Sequence, residues 1–321
     1  MSKSDNYFFY CNTGIGNTIK VLVDILVAIK GRAYIKLCPS GIDIKHADEN
    51  VSVWSGTLLQ KEYFRSFKCL ETWLISINLA HTQKLLKNVK KKDSMEIYIL
   101  KGSDKLTFRI SSVSDEQNQH ETLNVAYNRE EKNPNDYDVP GDDEYNEPII
   151  VDSSKFQKIK KMLASSREIN IIIQNNNYIK FSIDAGGAFD ADLEIGTLQE
   201  DKDVWVFDEQ DLPSDISAKD LINDPMYYNN DIYKKAFYAK QLTYFTRLSG
   251  ICSQLLFYAP KSHDNPIMIK LTICQKVVLG SMKILIKDVN LLMAEEEEIK
   301  RVEESAMVIR HETTNRSRKR R

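Results

Sequence analysis

The stretch Asp152–Ile183, "DSSKFQKIKKMLASSREINIIIQNNNYIKFSI", carries two signals in succession. Phe156, Ile159 and Leu163 recur at helical spacing, and Asp152 or Ser153 stands before them as an N-cap. On a helical wheel Lys158 and Lys161 fall opposite this stripe, with Lys155 and Lys160 flanking it. The runs "EINIII" and "YIKFSI" around "QNNN" then read as a β-hairpin. A helix with one apolar side followed by a hairpin predicts a sheet backed by helices.

Outward from this stretch, the same plan appears twice. The first half opens with the helix "GNTIKVLVDILVAIK", striped by Val21, Leu22, Ile25 and Ile29. The β-type runs "AYIKL", "GIDIKH" and "VSVWSGTL" follow, then "ETWLISIN", the lysine-rich helix "LAHTQKLLKNVKKKD" and the hairpin "MEIYIL-KGSD-KLTFRI". In the second half the opening helix and hairpin are followed by "FDADLEIG", the helix "AKQLTYFTRLSGI" and the hairpin "QLLFYAP-KSHDN-PIMIKLTI". The expected fold class is therefore α+β, with two similar domains, each a sheet backed by two helices. Residues 1–116 form the first domain, and 117–148 an edge strand ("ETLNVAYN") plus an acidic, exposed linker. Residues 149–293 form the second domain, with an irregular insertion at about 199–233. Residues 294–321 are a charged tail, a frayed helix running into a disordered basic end.

Net charge is only −2, from 44 Lys+Arg against 46 Asp+Glu, but the signs are segregated. Arg129–Glu147 holds eight acids and two bases, whereas the helices collect lysine. Lys84, Lys87 and Lys91 lie opposite Leu79, Leu85, Leu86 and Val89; Lys240 and Arg247 lie opposite Leu242 and Phe245. Lys20 faces outward on the first helix, but Val23, Val27 and Asp24 share that side. Solubilising helix faces mix both signs through i,i+4 pairs. Bases almost without acids, at equivalent places in both halves, predict a polyanion-facing surface. Such a surface meets phosphates, so binding is sequence-independent and salt-sensitive.

Other chemistry finds little support. No apolar run approaches the roughly 18–20 residues that span a bilayer, and "MSKSDNYFFYC" lacks the features of a signal peptide. Cys11, Cys38, Cys69, Cys252 and Cys274 form no C-x-x-C pair and read as reduced thiols of an intracellular protein. "NTGIGN" precedes a helix without the G-K-[ST] ending of a phosphate loop. His46, His81, His120, His263 and His311 make no ligand pattern, and no nucleophile elbow or acid/base pair is evident. The expectation is a non-enzyme with no metal and no cofactor.

Six segments in order resemble the DNA sliding clamps of the proliferating cell nuclear antigen family. They are "SGIDIKHADENVSV", "LAHTQKLLKN", "SSKFQKIKKML", "YIKFSIDAGG", "QLTYFTRL" and "PIMIKLTI", and the likeness spans about Gly16 to Asp288 apart from the insertion. The resemblance implies a ring of two-domain subunits closed head to tail, a homotrimer in this family, with helices lining the hole. Lys20, Lys84, Lys87, Lys91, Lys155, Lys158, Lys161, Lys240 and Arg247 would then face duplex DNA. It implies strand addition between subunits, Thr122, Leu123, Val125 and Tyr127 beside Ile179, Phe181 and Ile183 of the next. It places a partner-peptide site at Ala47, Val51, Tyr137, Val139, Pro140, Pro266, Ile284, Leu285 and Ile286. The implied partners are DNA polymerase, other clamp-binding proteins and a clamp loader, and the implied role is polymerase processivity in replication and repair. A subunit of a heteromeric checkpoint-type clamp, or a monomeric or dimeric factor, shares these features; a nucleic-acid enzyme such as a nuclease is the third class. The ending "RSRKRR" reads as a nuclear signal, giving the nucleus or a viral replication compartment as the location.

Overall fold

The structure, a computed structural model, describes residues 6–112, 120–174, 178–184, 190–196, 232–274 and 276–302. The bulk of the expected insertion and the "RSRKRR" ending lie outside these residues.

Each half contains the same eight-strand plan. In the first, β1 (Tyr7–Thr13), β2 (Arg32–Cys38), β3 (Gly41–Ala47), β4 (Val53–Gln60), β6 (Trp73–Asn78), β7 (Ser94–Leu100), β8 (Lys105–Ser111) and β9 (His120–Glu130) are joined by a short extra edge strand, β5 (Ser66–Cys69). In the second, β10 (Ile149–Asp152), β11 (Glu168–Gln174), β12 (Tyr178–Asp184), β13 (Asp190–Gly196), β14 (Ile232–Tyr238), β15 (Gln254–Tyr258), β16 (Ile267–Cys274) and β17 (Val278–Ile286) follow. The neighbour orders β4-β3-β2-β6 and β9-β8-β7-β1 recur as β13-β12-β11-β14 and β17-β16-β15-β10. All three hairpins expected from the sequence are present, and β1, β5, β10, β14 and β17 are added to them.

The halves are fused by one strand pair. β17 runs antiparallel to β4 from Gly280↔Leu59 to Ile286↔Val53, making a single thirteen-stranded sheet. A Cβ on Gly280 would lie 2.0 Å from the Leu58 carbonyl oxygen, so only glycine permits the approach there. Gln241, from the second half, donates to the Ser52 and Lys287 carbonyls at 3.3 and 3.1 Å, closing the end of the joint.

Strand alternation divides this joint into two faces. Val53, Ile284 and Ile286 join the main core, together with Leu22, Ile25, Leu79, Phe156, Leu242 and Phe245 from the helices. Trp54 and Leu285 turn the other way and pack with Ala47, Tyr145 and Met268. Helices therefore cover one face, and the linker covers the other.

The helices are shorter than their sequence patterns. α1 (Gly16–Ile29) is continuous, but α2 (Leu79–Leu85) tightens into a 3-10 turn, Leu86–Asn88. Lys91 consequently sits in the turn after the helix. The third helix is split into α3 (Ser153–Phe156) and α4 (Lys160–Leu163) by a 3-10 turn. Asp152 occupies its N-cap position without a side-chain capping bond, and Ser153 instead donates to the Cys252 carbonyl at 2.7 Å. α5 (Ala239–Thr243) ends before Arg247. Residues 289–302 are helical, running from the end of the second domain into the start of the expected charged tail at 294, with Asp288 Oδ1 accepting from the Asn290 and Leu291 amides.

The expected subunit joint needs one correction. Ile179, Phe181 and Ile183 lie in β12, which is paired to β11 on one side and β13 on the other. Its backbone groups are already satisfied, so no strand can be added to it. Among the described residues the two edges of that sheet are β13 and β14, and β13 is the one next to β12. On β9, among the described residues, 120–126 pair only with β8, and β6 takes the other side from Tyr127 onward.

Candidate nucleic-acid and partner interfaces

The helices of both halves meet on one face of the joint. Val21 of α1 packs against Gly250 of the second half, and Arg247 lies 3.6 Å from Asp24. Gln83 of α2 donates to the same Asp24 carboxylate at 2.7 Å. Asp24 thus ties three helical elements together and partly neutralises Arg247. Lys20 is also engaged: its ammonium donates to the Lys87 and Val89 carbonyls at 2.7 and 3.2 Å, capping the end of α2. Lys155 is 3.8 Å from Asp152. Lys84, Lys87, Lys91, Lys158, Lys161 and Lys240 are exposed, and among the described residues none of them forms an ion pair. Of the nine residues expected to face DNA, these six keep their charge unpartnered.

The opposite face is built in rows, because antiparallel register sets alternate residues of neighbouring strands side by side. Ala47, Trp54, Leu285, Met268 and Tyr258 form one row. Lys45, Gly56, Lys283 and Lys270 form the next. The acidic linker lies across both. The Trp54 indole donates to the Asn135 carbonyl at 3.1 Å, and Asn135 returns a bond to the Lys45 carbonyl. Asp136 pairs with Lys45; Asp142 pairs with Lys270 and Lys283, at 2.5 and 3.4 Å. Lys283 also donates to the Pro140 carbonyl, and the Tyr145 hydroxyl to the Pro266 carbonyl, each at 3.0 Å. The Lys45 ammonium holds the Asp136 carboxyl below its ordinary range, and Lys270 does the same to Asp142. A linker expected to be merely exposed is strapped down by strand lysines that no helical stripe or motif marks in the sequence.

With this geometry in view, residues 12–131 match the proliferating cell nuclear antigen N-terminal domain family. The chain is 25% identical over 283 residues to a probable DNA polymerase sliding clamp of Paramecium bursaria Chlorella virus 1, covering 88% of this chain and 97% of that one. Its fold matches the crystal structure of proliferating cellular nuclear antigen from Entamoeba histolytica with a TM-score of 0.66 at 14% identity, over 88% of this chain and 99% of the other. Over most of its length the chain is similar to sliding clamps of the proliferating cell nuclear antigen type.

The candidate partner site is only partly assembled as expected. Ala47, Val51, Val139 and Leu285 do converge, together with Trp54, Tyr145, Met268 and Tyr258. Pro140 and Pro266 border them through the carbonyl bonds above. Tyr137 is 40% exposed and is not among the clustered side chains. Ile284 and Ile286 are corrected: both are fully buried in the helix-side core, because they flank Leu285 on a strand and so point away from it. Trp54 and Met268 were missed, although each stands at an alternate position of a strand that the sequence shows.

Proposed function

We infer that this clamp encircles duplex DNA as a homotrimeric ring and tethers DNA polymerase and other clamp-binding proteins to it. The observation that carries the reading is the internal joint. β17 and β4 are the repeat equivalents of β9 and β13, and among the described residues β13 and the 120–126 part of β9 each have one side unpaired. A β9–β13 contact between copies repeats within the assembly what β17–β4 does within the chain. Such a head-to-tail contact closes when its rotation divides a full turn. Thr122, Leu123, Val125 and Tyr127 supply one side of it and β13 the other.

The six free lysines per chain then face the hole and meet phosphates without reading bases, so no register is fixed and the ring slides. Retention is topological, and the function requires no bond-making chemistry. Partner segments dock on the Trp54–Leu285 row beneath the linker, and a clamp loader opens the ring. Replication places the protein in the nucleus or a viral replication compartment.

Light scattering tests the assembly: three times the 37.0 kDa chain mass is expected. Retention on nicked circular duplex, lost when the circle is linearised, tests encirclement. A monomer in solution that binds linear and circular DNA equally would overturn the reading.

A further inference from the structure

Beyond the lysine row on the outer face lies a third row, Asp43, Leu58, Ser281 and Thr272. None of the linker bonds described above reaches it. A trough of about 460 Å³ opens there, floored by Gly56, Leu58 and Leu256, with Lys45, Lys270 and Lys283 among its lining residues. A Cβ on Gly56 would sit 2.6 Å from the Trp54 ring, so the indole lies across this glycine and extends the apolar floor. Leu58 is 38% exposed although its strand has hydrogen-bonded neighbours on both sides. An exposed leucine within a sheet, bordered by three ammonium groups, is an apolar anchor point beside a cationic wall.

The linker indicates what that wall accepts. Two of its carboxylates, six residues apart on an extended segment, already rest on Lys45 and on the Lys270/Lys283 pair. Each ammonium has three donors, so a second carboxylate can share it or replace the first. Asp43, the one acid among the described residues lining the trough, has its pKa raised by burial, while Lys45 and Lys36 beside it offset its charge. Asp142 and Asp143 on the adjoining linker oppose a continuous polyanion, whereas isolated carboxylates around an apolar residue match the lysines and the floor together.

We propose that this trough is a second docking groove of the clamp, taking an extended partner segment in which an apolar side chain is flanked by carboxylates. The apolar side chain seats on Leu58 and Leu256, and the carboxylates engage Lys45, Lys270 and Lys283. The proposal rests on the reading of the chain as a tether for partner proteins, and it assigns them a site distinct from the row beneath the linker.

The test is fluorescence anisotropy with the full-length protein and a labelled ten-residue peptide of alternating aspartate and leucine. Leu58→Glu changes an exposed side chain and should leave thermal melting unaltered while weakening the peptide by roughly tenfold. Val139→Ser, on the linker side, should leave the affinity within about twofold. Absence of saturable binding, equal affinity in all three proteins, or loss confined to Val139→Ser would each overturn the proposal. So would a single-stranded oligothymidine that binds more tightly than the peptide and depends on Leu58. No arm contains duplex DNA or requires a closed ring, so failure here is separable from failure of the clamp reading.

Discussion

Trp54 and Leu285 stand directly opposite each other across the strand pair that fuses the two halves, and both turn towards the linker. The pair couples three things: the joint itself, the second core and the attachment of Asn135. Trp54→Ala removes a large buried ring and should cost about 3–5 kcal/mol in urea unfolding. It also frees the Asn135 carbonyl, so protease cleavage between residues 133 and 141 should accelerate even where the protein remains folded.

The helix-face lysines predict a salt signature. Replacing Lys84, Lys87, Lys158 and Lys161 with alanine should leave the solution mass unchanged and release the protein from nicked circles at lower salt. The dependence of log affinity on log salt should flatten by about 0.9 for each phosphate that is no longer neutralised. Unchanged retention at physiological salt would show that DNA does not meet this face.

Assembly should fail when the open edge of β9 is damaged. The Tyr127 amide bonds to the Asp104 carbonyl on the β8 side, so alternation turns the amides of residues 122, 124 and 126 to the open side. Thr122→Pro deletes one outward donor and spares the β8 ladder. Light scattering should report a mass near the 37.0 kDa of one chain rather than a multiple of it.

Linker attachment should depend on pH. Lys45, Lys270 and the Gly141 amide, respectively, hold Asp136, Asp142 and Glu144 below the ordinary carboxylate range. A depressed folded-state value means that the attachment is complete above the unfolded value, about 4, and is lost as pH falls through the folded one. Cleavage of the linker by an acid-active protease should therefore rise steeply below about pH 4. Asp142→Asn should raise cleavage at neutral pH while changing global stability by less than about 1 kcal/mol, since the pairs are partly exposed.

His46 gives the opposite type of group a similar sense. Its ring is buried against α1 and donates from Nε2 to the Leu26 carbonyl at 2.9 Å; burial lowers its pKa to about 4. Between about 6.5 and 4 the unfolded chain binds a proton that the folded chain refuses, so stability falls on acidification, by about 3 kcal/mol in all. His46→Gln should flatten the urea midpoint against pH over that interval, at the cost of lower stability at pH 7.

Much of the fold was legible in the linear chain. Hairpins show themselves through alternation and turn residues, so "EINIII-QNNN-YIKFSI" and its two counterparts were recoverable without tertiary information. β1 and β10 were not: "YFFYCNT" lacks a polar partner for each apolar residue, and "IIVD" is too short for a period to register. β14 starts at the end of the insertion expected at about 199–233 and overlaps it only at Ile232 and Tyr233. Helix ends were overrun at Lys91 and Arg247, where local sequence continues the pattern but packing tightens the last turns.

The candidate sites divide in the same way. A helix contains its own inside and outside, because its apolar stripe fixes which lysines face away, and that geometry needs no second element. The linear chain therefore determined the doubled α+β plan and the cationic helix face. A sheet edge or a cross-strand row is instead made by partners distant in sequence. Only the tertiary structure could decide that β13 rather than β12 is open, that Ile284 and Ile286 point away from Leu285, and that Lys45, Lys270 and Lys283 strap the linker. Register between strands, set by hydrogen bonds across more than two hundred positions at the β17–β4 joint, is a property of the folded ladder and has no local signature.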